Sequence, residues 1–183
     1  MIVYRYHNIG FRPLELDDID LVRRMHNEPD TLLRMGDPWP VSPIQQRDWF
    51  ESMSRRRSDV TFMVCLAEGA KPIGVWRLQN LDAVNRVCEV GVDIFPAHRR
   101  QGYGYQTYRM IMAFLYDHYN IHMIYLRTAA FNNNAQSLYL KLGFLETGRL
   151  VESIFRHGRY WDNILMCLTV DQYRQLYPKG EQP

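Results

Sequence analysis

A strand-like run over residues 87–95 stops at Pro96 and leads into His98-Arg99-Arg100-Gln101-Gly102-Tyr103-Gly104-Tyr105. Beyond it Tyr108, Ile111, Met112, Leu115, Tyr116 and Tyr119 recur at helical spacing. A strand passing through a glycine-rich turn into a long amphipathic helix belongs to an α/β protein, and no other segment limits the fold as much. Backbone N–H groups at a helix start, approached closely because two glycines lack side chains, make an anion site suited to phosphates. Taken alone, the same residues serve equally as a tight strand-to-helix turn. The third glycine of the dinucleotide fingerprint and the G-x-x-x-x-G-K-[ST] loop are both absent, so neither common nucleotide motif applies.

The remaining pattern fills out a mixed sheet. Residues 60–67 and 73–78 read as a strand pair turning at Gly69 and Pro72, and residues 123–129 as a buried strand. Asn132, Asn133 and Asn134 then open a short helix carrying Ala135, Leu138, Tyr139 and Leu142, with Gly143 as its C′ residue. Residues 145–155 and 160–169 read as two strands around His157 and Gly158. Upstream, residues 9–14 look extended, and Asp17 is predicted to cap a helix through Ile19, Val22 and Met25 that stops by Asn27. Ser42, Pro43 and Gln45 supply a cap, a first-turn proline and a capping-box partner for the next helix. The expected product is one α/β domain over residues 1–177 with a mixed sheet flanked by helices, and a frayed tail at 178–183.

Composition narrows the function. Of 183 residues, 46% are hydrophobic and 23% charged, enough apolar material for a sizeable core. The net charge of +2 gives no field for gathering nucleic acid or an anionic membrane. Cys65, Cys88 and Cys167 are far apart and form no C-x-x-C pair, which suggests a reducing cytoplasm. The longest apolar run, residues 110–116, falls far short of the roughly 20 residues a membrane helix needs, and Arg5 and His7 interrupt the start, so an unprocessed soluble chain is expected. His118 and His122 have i, i+4 spacing but Asn120 falls between them and no carboxylate completes a set, so no metal is expected. Arg55, Arg56 and Arg57 suit either a phosphate or the negative end of a helix.

Two blocks carry a resemblance. Arg99-x-x-Gly102-x-Gly104 resembles the pyrophosphate motif of the GCN5-related N-acetyltransferases, and Asn132-x-x-Ala135-x-x-x-Tyr139-x-Lys141-Leu142-Gly143-Phe144 is similar to their second signature. The order and separation of the blocks match as well. Arg12-Pro13-Leu14, Asn27-Glu28-Pro29, Lys71-Pro72-Ile73-Gly74 and Gly158-Arg159-Tyr160 look like the branch holding ribosomal-protein, spermidine and nucleotide-aminosugar N-acetyltransferases. The resemblance implies a twisted sheet splayed at its centre, where the pantetheine arm of acetyl-coenzyme A inserts.

Carried onto this chain, the resemblance puts backbone groups of Val92, Asp93 and Ile94 on the pantetheine. Arg99 and the backbone of Arg100, Gln101, Gly102, Tyr103, Gly104 and Tyr105 fall on the pyrophosphate, and Asn132 on the cofactor. Tyr139 falls at the general acid, and a phenol with a pKa near 10 suits protonation of a departing thiolate. Glu89 is the candidate base; a structural partner such as an arginine is the other role open to it. Arg127 stands where relatives that acetylate protein N-termini often carry a carboxylate, which counts against that mechanism. The elements bearing Glu28, Asp30, Trp39, Trp76, Arg77, Trp161 and Asp162 border the acceptor cleft in that family. Trp39 stands out because Pro38 and Pro40 stiffen its loop.

The expected function is acetyl transfer from acetyl-coenzyme A to a primary amine of a small molecule, by direct attack. An aminosugar-like acceptor is favoured over a polyamine or aminoglycoside, because the charge balance gives no hint of a carboxylate-rich site. The alternatives are acetylation of a protein N-terminus and an idle acyl-coenzyme A sensor. No nucleic acid or membrane partner is expected, and a homodimer is left open.

Overall fold

Capping decides where the N-terminal helices begin. In the computed structural model, which describes residues 1–55 and 58–178, Ser42 Oγ accepts from the Gln45 N–H at 3.3 Å. Gln45 Oε1 in turn accepts from the Ser42 N–H at 2.9 Å, so helix α3 (Pro43–Ser54) starts where the sequence expects. Helix α1 (Ile19–His26) differs by one residue from expectation. Asp18, not Asp17, organises its start, because Arg12 donates two hydrogen bonds of 2.6 and 2.8 Å to the Asp18 carboxylate and the Glu15 N–H adds a third at 2.9 Å. Helix α2 (Pro29–Leu32) is a single turn capped by Glu28. Arg56, Arg57 and the tail after Pro178 lie outside the described residues, together with the readings made for them.

Eight strands form one sheet in the order β1-β2-β3-β4-β5-β6-β8-β7. Strands β1 (Tyr4–Tyr6), β2 (Ile9–Pro13), β3 (Val60–Leu66), β4 (Pro72–Asp82) and β5 (Val87–Ile94) make an antiparallel half. Strands β6 (Met123–Ala129), β7 (Leu145–Arg156) and β8 (Arg159–Thr169) make the other. The halves meet at the parallel β5–β6 pair, with helix α4 (Tyr103–His118) as the crossover. Helix α5 (Asn133–Lys141) follows β6, and α6 (Val170–Leu176) follows β8. β1 and α6 are additions to the expected elements.

Helices cover both faces because the strands alternate. On β3, Met63 and Cys65 join Leu14, Val22, Met25, Val75 and Phe95 beneath α1 and α3, while Val64 joins the larger core under α4. That core includes Tyr108, Ile111, Met112 and Leu115 from α4, packed with Cys88, Ile124, Phe144 and Leu168. No helix among the described residues is long and apolar enough to cross a membrane.

Candidate active site

The site begins where the sheet divides. β5 pairs with β6 only at Val87, Cys88 and Glu89, opposite Met123, Ile124 and Tyr125. Past Glu89, β5 stays with β4 up to Ile94, and β6 stays with β8 up to Ala129. A cleft of about 1350 Å³ opens between the halves. The Phe95 N–H donates to Ile73 O at 2.9 Å, and alternation along an antiparallel pair therefore turns Asp93 and Gly91 toward β4 as well. The main-chain groups of Val92 and Ile94 face the cleft, so among the three pantetheine candidates Asp93 offers its backbone elsewhere. An unpaired strand edge inside a protein is a row of polar groups awaiting a partner.

A bidentate ion pair braces the point of division. Arg127 Nε and Nη2 donate to Glu89 Oε1 and Oε2 at 3.0 and 2.8 Å, and Asn80 Nδ2 donates to Oε2 at 2.9 Å. Glu89 thus has an arginine partner on β6, and both of its oxygens are engaged.

The turn after β5 forms a cradle. Arg100 and Gly102 take positive φ values of 60° and 83°, and Gly102 precedes α4 without a side-chain cap. The first-turn N–H groups of α4 are left for a ligand at the positive end of a 16-residue helix. A Cβ at Gly104 would meet nothing nearer than Leu138 at 3.6 Å and Ile94 at 4.0 Å, so the cradle is open to a phosphate-sized group. Arg100, Gly102, Gly104 and Tyr105 line the cleft. Gln101 instead bonds its side chain to Ala97 O, and Tyr103 packs edge-on to His98, so these two offer backbone alone. The Arg99 guanidinium departs from expectation too. It binds Ile94 O, Glu28 Oε2 and Thr31 Oγ1, which ties the phosphate loop to α2.

Asn132 Oδ1 caps α5 by accepting from the Ala135 N–H at 3.3 Å, and this cap sets the helix that presents Tyr139 to the cleft. Tyr108 of α4 donates its hydroxyl to that of Tyr139 at 3.2 Å. Burial pushes the Tyr139 phenol above its ordinary range; the Tyr108 hydrogen bond and the Arg77 charge oppose that rise, while Asp93 adds to it. The tie between Tyr108 and Tyr139 escaped the sequence reading, where Tyr108 counted only as a helix-face residue.

The expected acceptor residues separate. Arg77 lines the cleft and pairs with Asp93 at 2.6 Å. Trp76, its neighbour on β4, is 0% exposed and stacks on Phe62 with centroids 4.4 Å apart, so it is a core residue and not an acceptor contact. Glu28 is spent on the α2 cap and Arg99. Trp161 turns its indole N–H to Arg156 O at 3.1 Å and packs with Phe131 and Arg159. Trp39 is 74% exposed on its loop and does not line the cleft, although its carbonyl meets His26 at 3.1 Å. Asp162 holds Arg149 and the Glu152 N–H. Of the carboxylates singled out, Asp30 remains at the cleft, joined there by Asp37.

A forked sheet with a helix-start phosphate cradle at the fork defines a class of coenzyme A-dependent acyltransferase, and the comparisons agree. The model of the Acetyltransferase (GNAT) domain matches residues 8–145, and the chain belongs to this family. It is an acetyl-coenzyme A-dependent N-acetyltransferase, which sets the idle sensor aside. The chain is 26% identical over 168 residues to the spermidine N(1)-acetyltransferase of Escherichia coli strain K12, covering 91% of this chain and 89% of the relative. It is 27% identical over 168 residues to that of Vibrio cholerae, covering 90% and 95%. The crystal structure of the Vibrio cholerae spermidine N-acetyltransferase in complex with CoA and spermine superposes with a TM-score of 0.84 at 26% identity, covering 91% of this chain and 98% of that one.

Proposed function

We propose that this enzyme transfers acetyl from acetyl-coenzyme A to a primary amine of a polyamine. The carrying observation is the likeness to spermidine N-acetyltransferases along about nine-tenths of both chains. It displaces the aminosugar expectation, and Trp39, whose stiff loop stood out among the acceptor candidates, lies outside the cleft. It also answers the objection from net charge, because a summed charge says nothing about one cleft. Asp30 and Asp37 line this cleft, Asp30 with Arg34 no nearer than 4.0 Å, while Glu89 and Asp93 are held by arginines at 2.8 and 2.6 Å, so the first two are the carboxylates more available to a remote ammonium.

The residues take distinct parts. The main-chain groups of Val92 and the Ile94 N–H hold the pantetheine arm as an added strand would. The amides from Arg100 to Tyr105 hold the pyrophosphate. Tyr139 supplies a proton to the sulfur as the amine attacks the acetyl carbon. Glu89 braces the fork through Arg127, and the attacking amine gives up its proton to water. Acetylation of a protein N-terminus is the less supported reading, since Arg127 occupies the position where a carboxylate is wanted.

The test is an acceptor panel read as free thiol released from acetyl-coenzyme A. Spermidine and spermine are expected to give the highest kcat/KM. Preferred turnover of glucosamine derivatives or of N-terminal peptides contradicts the polyamine assignment.

A further inference from the structure

The deep end of the cleft holds charge that the chemistry described so far leaves unused. Arg77 reaches from β4 across β5 to Asp93, and the side chains of the pair are 26% and 24% exposed. A Cβ at Gly91 would lie 3.1 Å from the Arg77 guanidinium, so glycine makes the room for that arginine to cross the strand. From the other wall, Tyr108 extends its hydroxyl to Tyr139. All four side chains line the same cleft.

We propose that Tyr108 is a positioning residue for Tyr139, which holds its oxygen and stabilises the phenolate left when its proton departs. The proposal rests on the reading of Tyr139 as the general acid. In that step the amine nitrogen bonds to the acetyl carbon and the C–S bond breaks, its electron pair going to sulfur. Sulfur takes the Tyr139 proton, the surplus amine proton passes to water, and the phenolate regains a proton from water. Because Tyr108 donates, it occupies a lone pair of the Tyr139 oxygen and leaves the Tyr139 hydrogen free for the cleft. The Arg77–Asp93 pair brings both signs of charge to the same cleft, and the two oppose each other at Tyr139, so the Tyr108 hydrogen bond is the contact that holds its oxygen.

The experiment measures kcat and both KM values for Tyr108→Phe, alone and combined with Tyr139→Phe. Alone, Tyr108→Phe should lower kcat about fivefold, with the acetyl-coenzyme A KM moving less than about twofold. In the Tyr139→Phe background this change should not lower kcat further, because residues acting through one group do not add. Losses that multiply with that of Tyr139→Phe overturn the positioning role while leaving the acid role intact. An unchanged kcat in Tyr139→Phe alone overturns the acid reading, and this proposal with it. Tyr108→Phe keeps the shape of the core and by itself suffices to contradict the proposal.

Discussion

Strand β5 meets two kinds of neighbour within eight residues. At Val87 and Glu89 it is paired on both edges, by β4 and β6, with Cys88 between them paired to β6, and its one charged side chain is gripped by Arg127 and Asn80. From residue 90 to 94 it is paired on the β4 edge alone, and the opposite edge faces a cleft. The closed stretch does what sheets ordinarily do, since its main-chain groups are satisfied inside the protein. The open stretch leaves them for another molecule, and the phosphate cradle, Tyr139 and the Arg77–Asp93 pair gather there. Structure and function thus divide along one strand, and substitutions on either side of Glu89 should fail in different ways.

The largest effect belongs to the open end. Gly104→Val fills the cradle without meeting protein backbone, so it should raise the dissociation constant for acetyl-coenzyme A by at least about a hundredfold while Tm stays nearly unchanged. Calorimetry showing wild-type affinity would move the phosphate site elsewhere. Next, Tyr139→Phe should lower kcat by about 10² with little change in cofactor affinity. A matching loss of affinity would mark Tyr139 as a binding group.

At the closed end the balance reverses. Glu89→Gln keeps the shape but gives up the charge that Arg127 grips, and since Arg127 is half exposed the cost should be about 2 kcal/mol, read as a Tm lower by about 5 °C. Its kcat should fall less than about threefold. A fall near 10² would restore Glu89 as the base. The smallest effect on turnover is expected far from the fork, at Asp18. Burial raises its carboxyl, but the hydrogen bonds from Arg12 and the Glu15 N–H outweigh that and hold it below the ordinary range. A depressed carboxyl stabilises the fold above its unfolded pKa of about 4 and loses that contribution as pH falls through the folded value. Asp18→Asn should therefore lower stability at pH 7, flatten the acid limb of the stability profile and leave kcat alone. An acid limb as steep as wild type would mean that another carboxylate governs it.

Local signals were legible in the sequence, and long-range partners were not. Ser42 and Gln45 start α3 through contacts three residues apart, and Gly143 ends α5 as its C′ residue, so spacing alone reveals them. Thr169 and Gln172 form the same kind of capping box for α6, a signal present in the sequence but hidden where strand runs directly into helix. β1 has only three residues and no pattern to read. Asp17 and Asp18 are interchangeable as letters, and Arg12 decides between them. Trp76 misled because β4 is covered on both faces, so its apolar run does not show which side chains reach a cleft. The glycine and asparagine motifs both fall at the cleft. The Glu89–Arg127 brace, the Arg99 tie to α2 and the Tyr108–Tyr139 contact span 38, 68 and 31 positions, respectively, and depend on the fold that brings them together.

Residue-resolved amide hydrogen exchange with and without acetyl-coenzyme A tests the divided strand most directly. Ligand binding slows globally exchanging amides together, so the informative quantity is the difference between neighbours. The Val92 and Ile94 amides, which face the cleft, should slow at least about tenfold more than those of Gly91 and Asp93, which are tied to β4. Equal slowing of all four, or protection that bypasses Val92 and Ile94, would contradict the open edge as the place where the acetyl donor is held.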